Sequence, residues 1–326
     1  MNNTWQACVC RAQLAALFAA VPAADAQTFP AQSMRMIVPQ TAGSASDTLA
    51  RIVGQRLSAL LGQQVVVDNR PGAGGLVGSE IAAKAAADGY TLVLASVSSH
   101  GTVPALYSKL PFDPVKDFAA VARYVTMPNV LVVHPSLPVR STAELIALAR
   151  ARPDQINIGS QGNGSSQHLF TELFSIMAGG LKMVHVPYKG SGASLTAILS
   201  GEVSVLMPTI SLSLPHIEAG KMRALAVTTA NRLDELPGVP TVSDTLPGFE
   251  VMSWIGLLAP ARVPPQVIAT LSDASAKAMA SPEVRKSVIA AGLTPAYMPG
   301  AQFGAFIEAE IAKWSRVAKT ANIRAD

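Results

Sequence analysis

Residues able to act as nucleophile, base or metal ligand are few in this chain and far apart. Histidine stands at positions 100, 134, 168, 185 and 216, and the two cysteines are Cys8 and Cys10. No histidine pair has the H-E-x-x-H spacing that puts two zinc ligands on one helix face. An α/β serine hydrolase carries its nucleophile in G-x-S-x-G at a strand-to-helix elbow. The nearest stretch, Gly164-Ser165-Ser166-Gln167-His168, lacks that order. No pair of carboxylates marks a glycosidase. His185 lies in an apolar run and reads as a structural histidine satisfied by a local partner. The expectation is a protein that is not an enzyme and holds neither metal nor cofactor.

Glycine and hydroxyl residues carry more information. Asn69-Arg70-Pro71-Gly72-Ala73-Gly74-Gly75-Leu76-Val77-Gly78 sits between a predicted strand and a predicted helix, where many proteins hold a phosphate. A dinucleotide fingerprint needs G-x-G-x-x-G at the first strand–helix turn. Here the third glycine is absent, the loop follows the second strand, and no Walker lysine accompanies it. A tight turn in which glycines take positive φ fits better. Two other loops suit an anion: Pro39 to Asp47 (PQTAGSASD) and Gly159 to His168 (GSQGNGSSQH). Each follows a predicted strand and opens a long helix, whose first N–H groups and dipole favour negative charge. The competing reading makes both loops helix caps and nothing more, with Ser46 or Asp47 and Ser165 or Ser166 as the capping residues.

Positioning these loops requires an alternation of strands and helices, which the sequence supplies. Strands are predicted at Arg35–Pro39, Gln64–Asp68 and Thr91–Ala95, with helices at Ser46–Leu61 and 79–86 between them. The pattern restarts with strands at Asn129–His134, Gln155–Gly159, Met183–Pro187, Val203–Met207, Met222–Thr228 and Ser253–Pro260. Helices intervene at Ser141–Arg150, Ser166–Ala178 and Gly192–Leu199. Glu144, three residues after Ser141, suggests a capping box. From Pro264 to about Ala321 the tail reads as mostly helical, broken at Ser281-Pro282 and Met298-Pro299-Gly300. Such alternation predicts parallel sheet flanked by helices, in two lobes joined by crossings near 125–130 and 247–254.

The chain has 326 residues, 49% of them hydrophobic and 14% charged. Membrane-spanning helices need roughly 20 consecutive apolar residues, and the longest run, Leu14 to Ala24, is shorter and contains Pro22. Preceded by Arg11 and closed by Ala24-Asp25-Ala26, it reads as a secretory leader, residues 1–26, cleaved before Gln27. Both cysteines fall inside it, so the mature chain has no disulfide and no thiolate site. Net charge is +4; the leader removes one arginine and one aspartate, leaving +4. Lysines and arginines occur singly, without the clustered positive face of a nucleic-acid binder.

Longer stretches are similar to those of the tripartite tricarboxylate transporter substrate-binding proteins, the Bug (TctC-like) family. They are IVPQTAGSASDTLAR (37–51), VVVDNRPGAGGLVGSE (65–80), DGYTLVLAS (88–96), YSKLPFDPVKDFAAVA (107–122), VLVVHPSLPVRSTAELIALAR (130–150), IGSQGNGSSQHLFTELF (158–174), VPYKGSG (186–192), GKMRALAVTTANR (220–232) and LPGFEVMSWIGLLAPARVP (246–264). The resemblance implies a two-lobed, type II-like Venus-flytrap periplasmic binding protein, each lobe a mixed sheet flanked by helices. Residues 27–126 with 251–326 would form domain 1, and residues 127–250 domain 2.

As a monomer in the periplasm, such a protein would capture a small carboxylate in its cleft and deliver it to the permease subunits of a tripartite transporter. A ligand sensor serving a signalling partner is the alternative role. The resemblance places Thr41, Ala42, Gly43, Ser44 and Asp47 on one jaw. Ser160, Gly162, Asn163, Gly164, Ser165, Gln167 and His168 fall on the other. Ser96, Ser98 and Ser99 join the first lobe, while Tyr188, Lys189, Gly190, Pro208 and Thr209 rim the second. NRPGAGG becomes a family fingerprint and structural turn. The chain departs from the family where Gln40 replaces an aromatic residue, where Ser44 replaces a glycine, and where Ser204 and Pro208 replace aspartates. Losing those aspartates argues against a ligand bearing an ammonium group.

Overall fold

The computed structural model describes residues 29–324. The leader expected at 1–26 lies outside the described residues. From Gln32 onward the chain forms one compact unit.

Two mixed sheets organise this unit. The first has the order β11-β4-β10-β3-β1-β2, built from β1 (Met34–Val38), β2 (Val65–Asn69), β3 (Thr91–Ser96), β4 (Phe118–Pro128), β10 (Met252–Pro260) and β11 (Thr294–Pro299). The second runs β7-β6-β8-β5-β9, from β5 (Val130–Val133), β6 (Asn157–Ser160), β7 (Val184–Pro187), β8 (Val205–Leu206) and β9 (Arg223–Val227). Parallel pairing holds for β1 with β2 and β3, and for β6 with β7 and β8. The long strands β4 and β10 run antiparallel to each other, because they carry the chain between sheets rather than through a helical crossover. Each sheet is therefore mixed rather than parallel throughout.

Local sequence explains most helices. Helix α1 (Ala45–Leu61) buries Leu49, Ala50, Val53 and Leu57 on one face and ends at Gly62 with φ 68°, the left-handed cap that glycine adopts without a Cβ penalty. Helix α2 (Leu76–Ala83) begins three residues earlier than predicted, directly at the glycine turn. A π-helical turn at Val97–Thr102 and the short α3 (Val103–Leu106) follow β3. Helix α4 (Thr142–Ala151) is capped by Ser141, which accepts from Glu144 N–H at 3.1 Å. Glu144 itself reaches past Ser141 to the Arg140 N–H, so the capping box is only half formed. Helices α5 (Ser166–Met177), α6 (Ser191–Leu199) and α7 (Ile210–Glu218) complete the second sheet's surroundings. The tail holds α8 (Pro265–Ala280), α9 (Pro282–Ala290) and α10 (Gly300–Thr320), with the edge strand β11 between the last two.

Trp254, Trp314, Tyr124, Phe170 and Phe303 are fully buried; such rings each remove roughly 150–250 Å² from water, about 4–6 kcal/mol gross. Glu310 Oε2 accepts from the indoles of Trp254 and Trp314 at 3.2 and 3.0 Å. Trp314 on α10 meets Phe170 on α5 with ring centroids 5.1 Å apart, so one continuous core reaches both sheets. The crossings are clasped together by Thr228. Its hydroxyl lies 2.9 Å from Asn129 O and 2.7 Å from Val251 O, and its own carbonyl accepts from Val251 N–H at 3.0 Å.

Candidate ligand-binding site

The two anion-suited loops, 39–44 after β1 and 160–165 after β6, and the 96–102 segment carrying Ser96, Ser98 and Ser99 after β3 all leave the C-terminal ends of parallel strands. That edge is where open α/β sheets leave room for a ligand.

The loop after β1 is organised around Asp47. Gly43, at φ 79°, turns the chain so that Ser44 becomes the N-cap of α1. Ser44 Oγ accepts from Asp47 N–H at 3.2 Å, and Asp47 Oδ2 accepts from Gly43 N–H at 2.9 Å. Arg51 holds the same carboxylate from one turn along, with Nε–Oδ2 3.1 Å and a guanidinium N–Oδ1 distance of 3.0 Å. Burial alone would raise the Asp47 carboxyl, but hydrogen bonds from Arg51 and Gly43 and the Arg51 charge leave it below its usual value. Asp47 thus shapes the loop. Ser44, not Ser46 or Asp47, is the cap, and Thr41 and Ala42 stand exposed at the tip.

The second lobe repeats this construction. Gly164, at φ 71°, precedes the N-cap Ser165, whose Oγ accepts from His168 N–H at 3.3 Å. His168 Nδ1 accepts from Gly164 N–H at 3.1 Å, as Asp47 does from Gly43. That donor assigns the ring proton to Nε2, which faces Glu172 Oε1 at 3.6 Å. The two helix starts therefore share a pattern, Gly-Ser-x-x-Asp in 43–47 and Gly-Ser-x-x-His in 164–168. The third helical residue reaches back to the glycine two places before the helix.

His185 braces this loop as a structural histidine with a local partner, as its place in an apolar run suggests. Its ring stacks on His168 with centroids 3.8 Å apart and planes 3° apart, and its Nε2 lies 2.6 Å from Ser160 Oγ. Burial, with the neighbouring His168 ring, pulls its pKa down to about 4. Ser160 Oγ also accepts from Gly162 N–H at 3.1 Å. Tyr188 packs beside this loop, its N–H donating to Ser160 O at 3.0 Å. Its hydroxyl points instead to Glu202 Oε1 at 2.8 Å, and burial with this contact raises its pKa to about 12. Asn163 and Lys189 are exposed. Thr209 starts α7 and pairs with Asn129 at the crossing, and no hydrogen bond ties it to the loops.

The loop after β3 links these parts. Ser96 and Ser99 form a reciprocal capping box, and Ser99 Oγ lies 3.0 Å from His100 Nδ1. Burial pulls His100 down to about 3, so it is neutral. Ser98 Oγ donates to Gly74 O at 2.8 Å. A Cβ on Gly75 would sit 2.7 Å from Ser99 Cβ and 3.3 Å from Pro39 Cβ. The NRPGAGG turn is thus a close-packed buttress behind both first-lobe loops, and glycine is needed there for space as well as for its φ of 107°. On its other side the 97–102 turn packs against α5, while a Cβ on Gly164 would lie 3.0 Å from Leu106 Cδ1.

With Gly43, Gly162 and Gly164 N–H groups held internally, the free donors are in the helices themselves. The first ladder bonds are Thr48 N–H to Ser44 O and Leu169 N–H to Ser165 O. Ala45 and Ser46, like Ser166 and Gln167, precede any possible intrahelical acceptor. Ser46, Ser166 and Gln167 are nonetheless buried. Sequence reading missed Ala45, Ser46 and Ser166 as donors; the matching Gly-Ser-x-x spacing was the signal that could have found them. Open recesses of about 320 and 490 Å³ flank the outer face of α1, away from this end. Among the described residues no cluster of His, Asp or Glu could hold a metal ion, and no helix is long and apolar enough to cross a membrane.

Residues 49–323 match the profile of the family described as tripartite tricarboxylate transporter family receptor. The chain belongs to that family. Protein BugT of Bordetella pertussis is 37% identical over 297 residues, 90% of this chain and 91% of BugT. The R. palustris protein Rpa4515, solved with adipate, shares 38% identity at a TM-score of 0.78, over 91% of this chain and 99% of that one. MatC from Rhodopseudomonas palustris, solved with bound malate, shares 30% identity at a TM-score of 0.75, over 89% of this chain and 99% of MatC. The fold is accordingly that of a two-lobed periplasmic binding protein, and this family member is a solute-binding protein.

Proposed function

We propose that this family member captures a small carboxylate in the periplasm and delivers it to the membrane subunits of a tripartite tricarboxylate transporter. The observation that carries the reading is the pair of helix starts, one per lobe, each with a serine cap and unpaired first-turn N–H groups aligned with the helix dipole, among which Ser46, Ser166 and Gln167 are buried. Ala45, Ser46, Ser166 and Gln167 would donate to the carboxylate. Asp47, His168 and Ser160 hold the loops in shape, and Ser96, Ser98 and Ser99 close the first-lobe side. Residues 27–126 with 251–326 act as one lobe and 127–250 as the other. Adipate and malate in the two R. palustris relatives support a carboxylate as the ligand class.

The test is native mass spectrometry of protein purified without refolding, followed by thermal-shift screening of carboxylates, sugars and nucleotides. A retained carboxylate, or a shift with carboxylates alone, is the expected result; a shift with sugars or nucleotides alone overturns the reading. Intact mass of exported protein should correspond to a chain starting at Gln27. Retention of residues 1–26 rejects the leader.

A further inference from the structure

The donors described above suit a carboxylate, but the same loops also carry an acceptor with nothing to accept. Gln40 joins the loops after β1 and β3: its Nε2 donates to Ser96 Oγ at 3.1 Å, and its backbone carbonyl accepts from Asn69 Nδ2 at 3.2 Å. Its Oε1 is buried and has no partner. On the other lobe Gln167, at 1% exposure, likewise holds a buried Oε1 without a partner. Buried polar atoms are rarely left unpaired in native proteins, and an ionised carboxylate cannot satisfy an amide oxygen, since both only accept.

Resting on the carboxylate reading, we propose that the ligand also bears a hydroxyl group and that Gln40 Oε1 accepts its hydrogen. A hydroxyl fits better than an ammonium because no carboxylate is free to pair with a cation here. Asp47 is bound by Arg51 and Gly43, and Glu172 faces His168. Gln40 is thus a specificity-determining residue, selecting 2-hydroxy acids over their unsubstituted counterparts. A site with a buried acceptor rejects the analogue that leaves it unpaired.

Isothermal titration with matched sets decides the matter: succinate, malate and aspartate; glutarate, 2-hydroxyglutarate and glutamate; propionate, lactate and alanine. The hydroxylated member should bind about tenfold tighter than the unsubstituted acid. In Gln40→Met, which keeps length but removes the acceptor together with the donor to Ser96, that preference should fall to within about twofold. The variant's affinity for the unsubstituted acid and its melting temperature report whether it folds. Equal affinities across a set, tightest binding of the amino acid, or a preference that survives in Gln40→Met overturns the assignment while leaving the carboxylate reading in place. If no carboxylate binds at all, the reading itself fails and the assignment with it.

Discussion

Gly164 carries a conformational demand and a steric one at once, and the two can be separated experimentally. At φ 71° any side chain is strained, on the order of 1–2 kcal/mol. Gly43 has a similar φ of 79° but open space around the missing Cβ, whereas a Cβ on Gly164 meets Leu106 Cδ1 at 3.0 Å. Gly164→Ala should therefore destabilise the protein more than Gly43→Ala, by about 1 kcal/mol. Truncating Leu106 to alanine should recover part of that excess. Chemical denaturation of both single variants and the Leu106→Ala double variant measures the coupling. Additive effects would show that the loop and α3 do not touch in solution.

The brace formed by α5 and β7 makes the second-lobe loop sensitive to acid. His185 faces His168 and Glu172 from α5 and Ser160 from β6, and it titrates at about 4 against an ordinary value of 6.5. Between those values the unfolded chain binds more protons than the folded one, so stability rises with pH through that window and levels off above it. His100, at about 3, acts in the same direction over a wider range. Melting temperature should fall as pH drops from 6.5 toward 4, less steeply in His185→Gln; parallel slopes in the two proteins reject the role of His185.

Much of this element-scale order was legible: the strands β1, β2 and β3 and the helices α1, α4 and α5 follow from apolar periodicity and serine caps. What escaped lacked a periodic signal. The turn at 97–102 is held by Ser96–Ser99 self-contacts. Pro215 inside α7 disguised a helix. Strand β11 begins at Thr294-Pro295 and ends at Pro299; proline tolerates an edge strand but reads as a helix break. The Gly-Ser-x-x-Asp and Gly-Ser-x-x-His spacing can be read at 43–47 and 164–168, but the contact from the third helical residue back to the glycine emerges only once each helix start is placed.

At the scale of the molecule, binding and folding are linked. A ligand that binds only the folded protein adds about 2.7 kcal/mol at a hundred times Kd, and units of this size gain roughly 2–4 °C per kcal/mol. The cognate carboxylate should raise Tm by about 5–10 °C, in one transition if the shared core through Phe170 and Trp314 makes the sheets unfold together. Two resolved calorimetric transitions, only one of them ligand-dependent, would show that the sheets unfold separately.

The internal pairing of Asp47 with Arg51 has a consequence for how binding responds to salt. A clamp built on exposed lysines or arginines would lose its grip as ions screened it. Backbone N–H groups at the helix starts act over a few ångströms, well inside the screening length, and the Asp47 charge is already neutralised by Arg51. Affinity for the carboxylate should accordingly change by no more than about twofold between 10 mM and 500 mM sodium chloride, as titration calorimetry can establish. A steep loss with salt would mean that an unpaired cation holds the ligand. Without one, the site would hold its ligand equally well in dilute buffer and in brine.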